Sequence, residues 1–383
     1  MALSTTHPAL RWAVPGAVVA IVLGAAAVTT VIADSTPTLP PRSAAELLVD
    51  VQNANVAALS GTVLQNAELG LPDLPVQLGS RGSSDFTSLV SGTHTLKVWY
   101  AGAAQQRLAL LGTLGESDVI RNGTDVWTWS SDSNAATHYQ LPPGADGATI
   151  PDQSAAALTP QQAADAALAA IDPTTVVTTQ GTADVAGRSA YELVLAPKDA
   201  ASLIGQVRIA VDAEQHIPLR VRVLAKGASA PAFEVGFSQI SFDTPSADQF
   251  HFTPPPGATV TESTLGHGDL AGRAQPQQQA AAPAQAGTEP TVVGTGWTSV
   301  LVAKLPSAAG AAGVSGQQPD ASSPGSGKSG GLSAILGSLP QETGSWGSGR
   351  LLQSALFSVL ITDDGRVIAG AVAPEKLYQA AGQ

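Results

Sequence analysis

The chain has no cysteine in 383 residues. That excludes disulfides, thiolate-bound zinc or iron–sulfur sites, thiol catalysis and cysteine-linked lipid anchors. Charge is scarce at 13%, roughly half the usual ~25%. Positive charge is scarcer still: 18 Lys and Arg stand against 30 Asp and Glu, a net charge of −12. Nucleic acid is therefore no expected partner, because phosphate neutralisation supplies most of that affinity. Aromatic residues make up only 4%, whereas 39 Gly and 27 Pro are an excess that points to turns and linkers.

No cofactor signature is present either. The six histidines (7, 94, 138, 216, 251 and 267) are scattered, and H-E-x-x-H does not occur. Residues 322–329 (SSPGSGKS) approach a phosphate loop but carry Ser322 where glycine is required, and no strand and helix flank them. Residues 122–124 form a glycosylation sequon, but Asn122-Gly123 is better explained as a type I′ hairpin turn. Asp132-Ser133-Asn134 opens like a calcium loop, then places Thr137 at the position that needs glycine. The carboxylate pairs Glu116/Asp118 and Asp363/Asp364 lie in turns with no third group to mark a general acid or base. The expectation is a protein that is not an enzyme.

One long apolar run is present. Residues 12–32 carry no charge between Arg11 and Asp34, and as a helix they would cross a ~30 Å hydrocarbon core. They read as a transmembrane or signal-anchor helix. Arg11 and the terminal amine place residues 1–11 in the cytoplasm and the rest outside. Val31-Ile32-Ala33 also fits a cleavage site, which would make the protein secreted. Residues 33–42, with Pro37, Pro40 and Pro41, form an extended spacer.

Beyond the spacer, Ser43 and Glu46 form a capping box that opens an amphipathic helix over 44–59. The period then changes to two, with strands expected at 61–69, 95–100, 107–111, 118–121 and 125–130. Thr159-Pro160 opens a second helix that stops before Pro173. Strands resume at 175–180, 189–195, 206–211, 219–225 and 233–242. Residues 263–290 read as a disordered Gln/Ala/Pro/Gly linker. A small β-rich module follows over 291–383, with a flexible loop at 306–331, a hairpin around Asp363-Asp364-Gly365 and a short helix from Pro374.

Alternation places Leu96, Val98, Tyr100, Tyr191, Leu193, Leu195, Val221, Phe233, Val235 and Phe237 on apolar strand faces, and Trp127 and Trp129 are assigned to the same face. Arg208, Arg220 and Arg222 occupy the opposite one. The fold class is α+β: a strongly curved antiparallel sheet, an unclosed half-barrel, lidded by two helices. These twelve apolar residues are the candidate ligand-binding set.

The helix end Ala58-Leu59-Ser60-Gly61-Thr62, the strand from Tyr191 to Lys198, the turn from Asp212 to Arg220 and the Phe250-His251-Phe252-Thr253-Pro254-Pro255-Pro256-Gly257 segment resemble the LolA/RseB-type lipoprotein carrier superfamily. More narrowly they resemble membrane-anchored LolA-like proteins of high-GC Gram-positive bacteria. The resemblance covers 43–262. It implies a lidded half-barrel that binds lipid or lipoprotein acyl chains without catalytic residues. It also implies an alternative, an RseB-like regulatory subunit that senses lipids and binds a membrane protein such as an anti-sigma factor.

Overall fold

The computed structural model describes residues 39–72, 84–142, 159–169, 171–264, 290–304 and 337–382. The expected membrane segment 12–32, nearly all of the 263–290 linker and the 306–331 loop lie outside these residues. Among the described residues no helix is long and apolar enough to cross a membrane.

Helix α1 spans Ala44–Asn53. Its capping box is formed, with the Ser43 N–H donating to Glu46 Oε2 at 2.7 Å and the Glu46 N–H to Ser43 Oγ at 3.3 Å. It is shorter than the helix expected to run to residue 59. Ala54 turns to ψ 130°, because the chain must be extended by Leu59 to pair with Tyr100.

A twelve-stranded sheet follows, from β1 (Leu59–Ala67), β2 (Gly92–Tyr100), β3 (Gln105–Leu111), β4 (Glu116–Asn122), β5 (Asp125–Ser130) and β6 (Ala135–Gln140) through β7 (Thr175–Val185), β8 (Arg188–Pro197), β9 (Ile204–Asp212), β10 (Pro218–Ala225), β11 (Pro231–Ser241) and β12 (Thr259–Thr264). Their order is β12-β6-β5-β4-β3-β2-β1-β11-β10-β9-β8-β7. The two edge strands do not pair, so the sheet is unclosed. It is antiparallel except at one edge, where β12 runs parallel to β6. That parallel strand departs from the purely antiparallel expectation. It arises because residues 242–258 carry the chain from β11 back across the sheet.

Curvature follows from distance. β7 and β11 are four places apart in the sheet, which is about 19 Å in a flat one, yet they touch. Register shifts at Thr62/Val63, Thr179/Thr182 and Val223/Leu224 mark bulges that add twist. The β4–β5 turn differs from the expected Asn122-Gly123 type I′ turn. Asn122 pairs with Asp125, so Gly123-Thr124 form the loop. Only Gly123 has a positive φ, 67°, which matches type II′.

Helix α2 (Pro160–Ala169) lies on β10 and β11, capped by Thr159 Oγ1, which accepts from the Gln162 N–H at 3.0 Å. A second, six-stranded sheet contains β13 (Thr291–Val293), β14 (Val300–Lys304), β15 (Gln341–Gly344), β16 (Gly347–Gln353), β17 (Ser358–Thr362) and β18 (Arg366–Gly370), with α3 (Pro374–Ala381) packed on it. The hairpin at Asp363-Asp364-Gly365 forms as expected, with Gly365 at φ 84°. Leu203 N–H donates to Ala371 O at 2.8 Å, and Trp297 Nε1 donates to Thr175 Oγ1 at 2.7 Å, tying the two sheets together.

Candidate functional site

Cross-strand partners share a face, so register decides which side chains meet. Leu96 faces Val63, which faces Phe237. Val235 faces Val221, and Val221 faces Ile209, which faces Leu193. Tyr191 and Leu195 follow through Val211 and Val207, and Phe233 through Val223. Val98 and Tyr100 lie on the same side of β2 as Leu96. Ten of the twelve candidate residues thus share one apolar face, and all ten except Phe233 are buried.

Trp127 and Trp129 do not belong to it. Val98 pairs with Leu108, Leu108 with Val119 and Val119 with Thr128. Thr128 and Val126 therefore point to the apolar side and both tryptophans to the other. Alternation within one strand is local, but its phase relative to a distant strand depends on every intervening turn, which composition does not reveal. On their own face the tryptophans meet the returning segment. Trp127 stacks on His138 with ring centroids 4.2 Å apart, and Phe252 lies 5.4 Å from Trp127 and 5.9 Å from Trp129. Phe250, wholly buried, sits in a 3-10 turn that touches β3 and β4. The Phe-His-Phe-Thr-Pro-Pro-Pro-Gly motif is therefore a strap across the sheet's second face.

The apolar face is closed in this conformation. Leu47 and Val51 of α1 and Ala163 and Ala164 of α2 are buried in its core. The space left beneath the N-terminus of α2 is a cavity of about 30 Å³, lined by Leu59, Val98, Tyr100, Pro160, Ile217 and Phe237 among others. Ligand pockets usually enclose about 300–1,000 Å³, so among the described residues this cavity admits no ligand of lipid size without displacement of α2. Asp165 of α2, which accepts from Gln161 Nε2 at 2.9 Å, has its pKa pushed up by burial to about 6 despite that hydrogen bond.

The opposite face carries the arginines. Glu192 accepts from Arg208 at 3.3 Å and from Arg222, and Arg220 approaches it to 3.6 Å. The Asp212–Arg220 turn has a structural role. Asp212 is fully buried, bound by Arg188 through Nε and Nη2, and its Oδ1 accepts the Glu214 and Gln215 N–H groups at 2.9 and 2.7 Å. Burial alone would push the Asp212 carboxyl up, but Arg188 and those two N–H groups hold it below the ordinary range.

Two histidines, His94 and His138, make side-chain polar contacts of the kind a catalytic base would need. His94 Nδ1 lies 3.5 Å from Ser88 Oγ, but that hydroxyl donates to Asp85 O at 2.6 Å and His94 Nε2 lies 2.8 Å from Ser91 O. Neither side chain lines the cavity beneath α2. His138 lies between Asp125 and Glu262 at 2.9 and 2.7 Å. Among the described residues no group of three His, Asp or Glu side chains could hold a metal ion.

No protein-family model and no curated protein matches the chain. Solved structures do. The Pseudomonas aeruginosa MucA/MucB complex aligns at 16% identity over 88% of this chain and 96% of that one, with a TM-score of 0.43. A LolA superfamily protein from Nitrosomonas europaea aligns at 9% over 55% and 99%, with a TM-score of 0.20. A putative outer membrane lipoprotein-sorting protein domain from Vibrio parahaemolyticus aligns at 11% over 54% and 94%, with a TM-score of 0.22. The solved structures to which this chain is similar thus include members of the LolA/RseB-type superfamily whose motifs its sequence resembles.

Proposed function

We propose that this is a non-catalytic binding protein that takes acyl chains of a lipid or lipoprotein between its apolar sheet face and α2, outside the cytoplasmic membrane and tethered to it by residues 12–32. The observation that carries the reading is a broad apolar face under a weakly held lid. The fully buried residues of α2 are Pro160, Ala163 and Ala164, with Ala167 and Leu168 partly buried. At about 0.8 kcal/mol per buried CH₂, these side chains hold the helix with on the order of 5 kcal/mol. An acyl chain of about sixteen carbons gains on the order of 12 kcal/mol by leaving water. An entering chain can therefore replace α2 on the sheet, starting at the 30 Å³ cavity beneath it. Mass spectrometry of organic extracts of the purified protein, with titration by a fluorescent fatty acid, tests this. Finding no lipid and no saturable binding refutes it.

A second reading, a regulatory subunit that binds a membrane protein, is favoured by one observation. Val292 and Leu301 are cross-strand partners on the second sheet, exposed at 61% and 45%. A photo-crosslinker at position 301 that captures no membrane protein in cells counts against it.

A further inference from the structure

The helix over the apolar face joins β7 through a short turn, and the second sheet touches that turn. α2 ends at Ala169 and β7 begins at Thr175. The Ile171 N–H donates to Leu168 O at 3.1 Å, and the Thr175 N–H to Asp172 O at 3.0 Å. Asp172 Oδ1 accepts from the Thr174 N–H at 2.8 Å and from Thr175 Oγ1 at 3.2 Å. From the end of β8, Lys198 donates through its N–H to Thr174 O at 2.8 Å and through Nζ to Pro173 O at 2.7 Å. Positions where one element ends and the next begins absorb the dihedral change when a lid moves. Residues 171–174 are thus the hinge of α2.

A side chain 122 positions away completes this turn. Trp297 lies between β13 and β14, and its Nε1 donates to Thr175 Oγ1 at 2.7 Å. That hydroxyl donates to Asp172 Oδ1 and accepts the Asp172 N–H at 3.4 Å, so the indole fills its second acceptor position. Trp297 and Ile171 both pack against the core of the first sheet. Gly296 fixes the approach. It has φ 61°, and a Cβ there would overlap Thr174 Oγ1 and sit 2.8 Å from Asp172 Oδ2. Only glycine lets the β13–β14 turn come so close. The second module has other ties that run elsewhere. Leu203 N–H donates to Ala371 O at 2.8 Å, Ala355 N–H to Leu69 O at 2.7 Å, and Thr298 Oγ1 to Asp199 Oδ2 at 3.3 Å. Loss of the Trp297 bond therefore loosens the hinge without detaching the module.

We infer that Trp297 is a positioning residue for the acyl site: its bond to Thr175 holds the hinge of α2 in the closed setting, so the second module controls how readily the lid opens. The inference rests on the acyl-binding reading for what opening admits. The bond is made only while the hinge is closed. Removing it raises the open fraction, and apparent affinity rises in proportion. One net hydrogen bond corresponds to about fivefold. Such coupling is reciprocal, so a ligand that displaces α2 also weakens the module's hold on the hinge.

The test measures hydrogen exchange of the full chain and its titration with cis-parinaric acid, in the wild type, Trp297→Phe and Gly296→Ala. Phenylalanine keeps an aromatic ring and removes the N–H, whereas alanine keeps the indole and pushes the turn off Thr174. In both variants the α2 amides should exchange about fivefold faster and cis-parinaric acid should bind about fivefold tighter, with β9 and β10 amides at wild-type rates. A merely structural tryptophan would weaken the whole sheet, so acceleration shared equally by β9 and β10 overturns the inference. Unchanged α2 exchange in Trp297→Phe overturns it as well, and so does faster exchange with unchanged or weaker affinity in both variants. Faster α2 exchange with no binding of cis-parinaric acid by any of the three proteins supports the clamp and removes the acyl reading instead.

Discussion

Replacing Val98 by isoleucine is expected to stabilise the protein and weaken acyl binding together. Val98 is buried at the centre of the sheet and lines the 30 Å³ cavity beneath α2. Isoleucine adds one methylene at a position that faces this void. Cavity filling at about 24 cal/mol per Å³ gives roughly 0.7 kcal/mol, and burial of one CH₂ gives about 0.8 kcal/mol. The two figures describe overlapping effects, so the net gain is about 1 kcal/mol. The same methylene occupies the place where an incoming chain would first insert and adds contact for the α2 lid. Closing it by 1 kcal/mol weakens acyl affinity about fivefold. Urea unfolding should show a higher midpoint at unchanged slope, and fatty-acid titration should show the fivefold loss. Stabilisation with unchanged affinity would separate the cavity from the binding path and refute the lid argument. Destabilisation would show that the void does not accept a methylene.

Further outcomes follow from the buried charges and glycines. Asp165→Asn should stabilise by about 1 kcal/mol at pH 7, discounted for the carboxyl's partial contact with water. Because the folded pKa is raised to about 6, stability is fully present below pH ~3.8 and lost as pH rises through 6. The variant's advantage should therefore vanish at pH 4 in urea melts. Arg188→Met removes the cation that binds buried Asp212 and should cost about 3 kcal/mol at pH 7. Since the Asp212 pKa is lowered, wild-type stability from this group is present above pH ~4 and fades as pH falls below it. That acid dependence should shrink in the variant. Gly61→Ala would put a Cβ 2.6 Å from the Gln239 carbonyl and 2.9 Å from the Phe237 ring. A backbone oxygen cannot turn aside, so a loss of about 1–3 kcal/mol is expected from the thermal midpoint.

The candidate site was partly legible in the sequence. Within β2, β8, β10 and β11 the two-residue alternation placed ten residues on one side of their strands, and the structure brings those ten to one face. The error at Trp127 and Trp129 came from assigning β5 to the face of β2 without following the pairing through the three turns that separate them. The arginine cluster was visible as well, since alternation put Arg208, Arg220 and Arg222 opposite the apolar residues. The contact of Trp297 with the hinge of α2 was not, because nothing local indicates that the β13–β14 turn meets a residue 122 positions away. The signal that could have found it was Gly296, since glycine often marks a close approach of the backbone to another group.

The amino-acid sequence by itself determined what depends on near neighbours: the Ser43 capping box, the Asp363-Asp364-Gly365 hairpin turn, the strand alternation, the absence of thiol chemistry and the acidic balance. Each rests on contacts within a few residues or on composition alone. Only the tertiary structure decided which faces coincide, that the apolar face is closed beneath an alanine-lined helix, and that β12 returns to form a parallel edge. It also decided that Trp297 meets the hinge of α2. Those properties are set by pairings between distant segments, such as Ser60 with Ser241, and by bulges that shift register after the strand pattern has already been written.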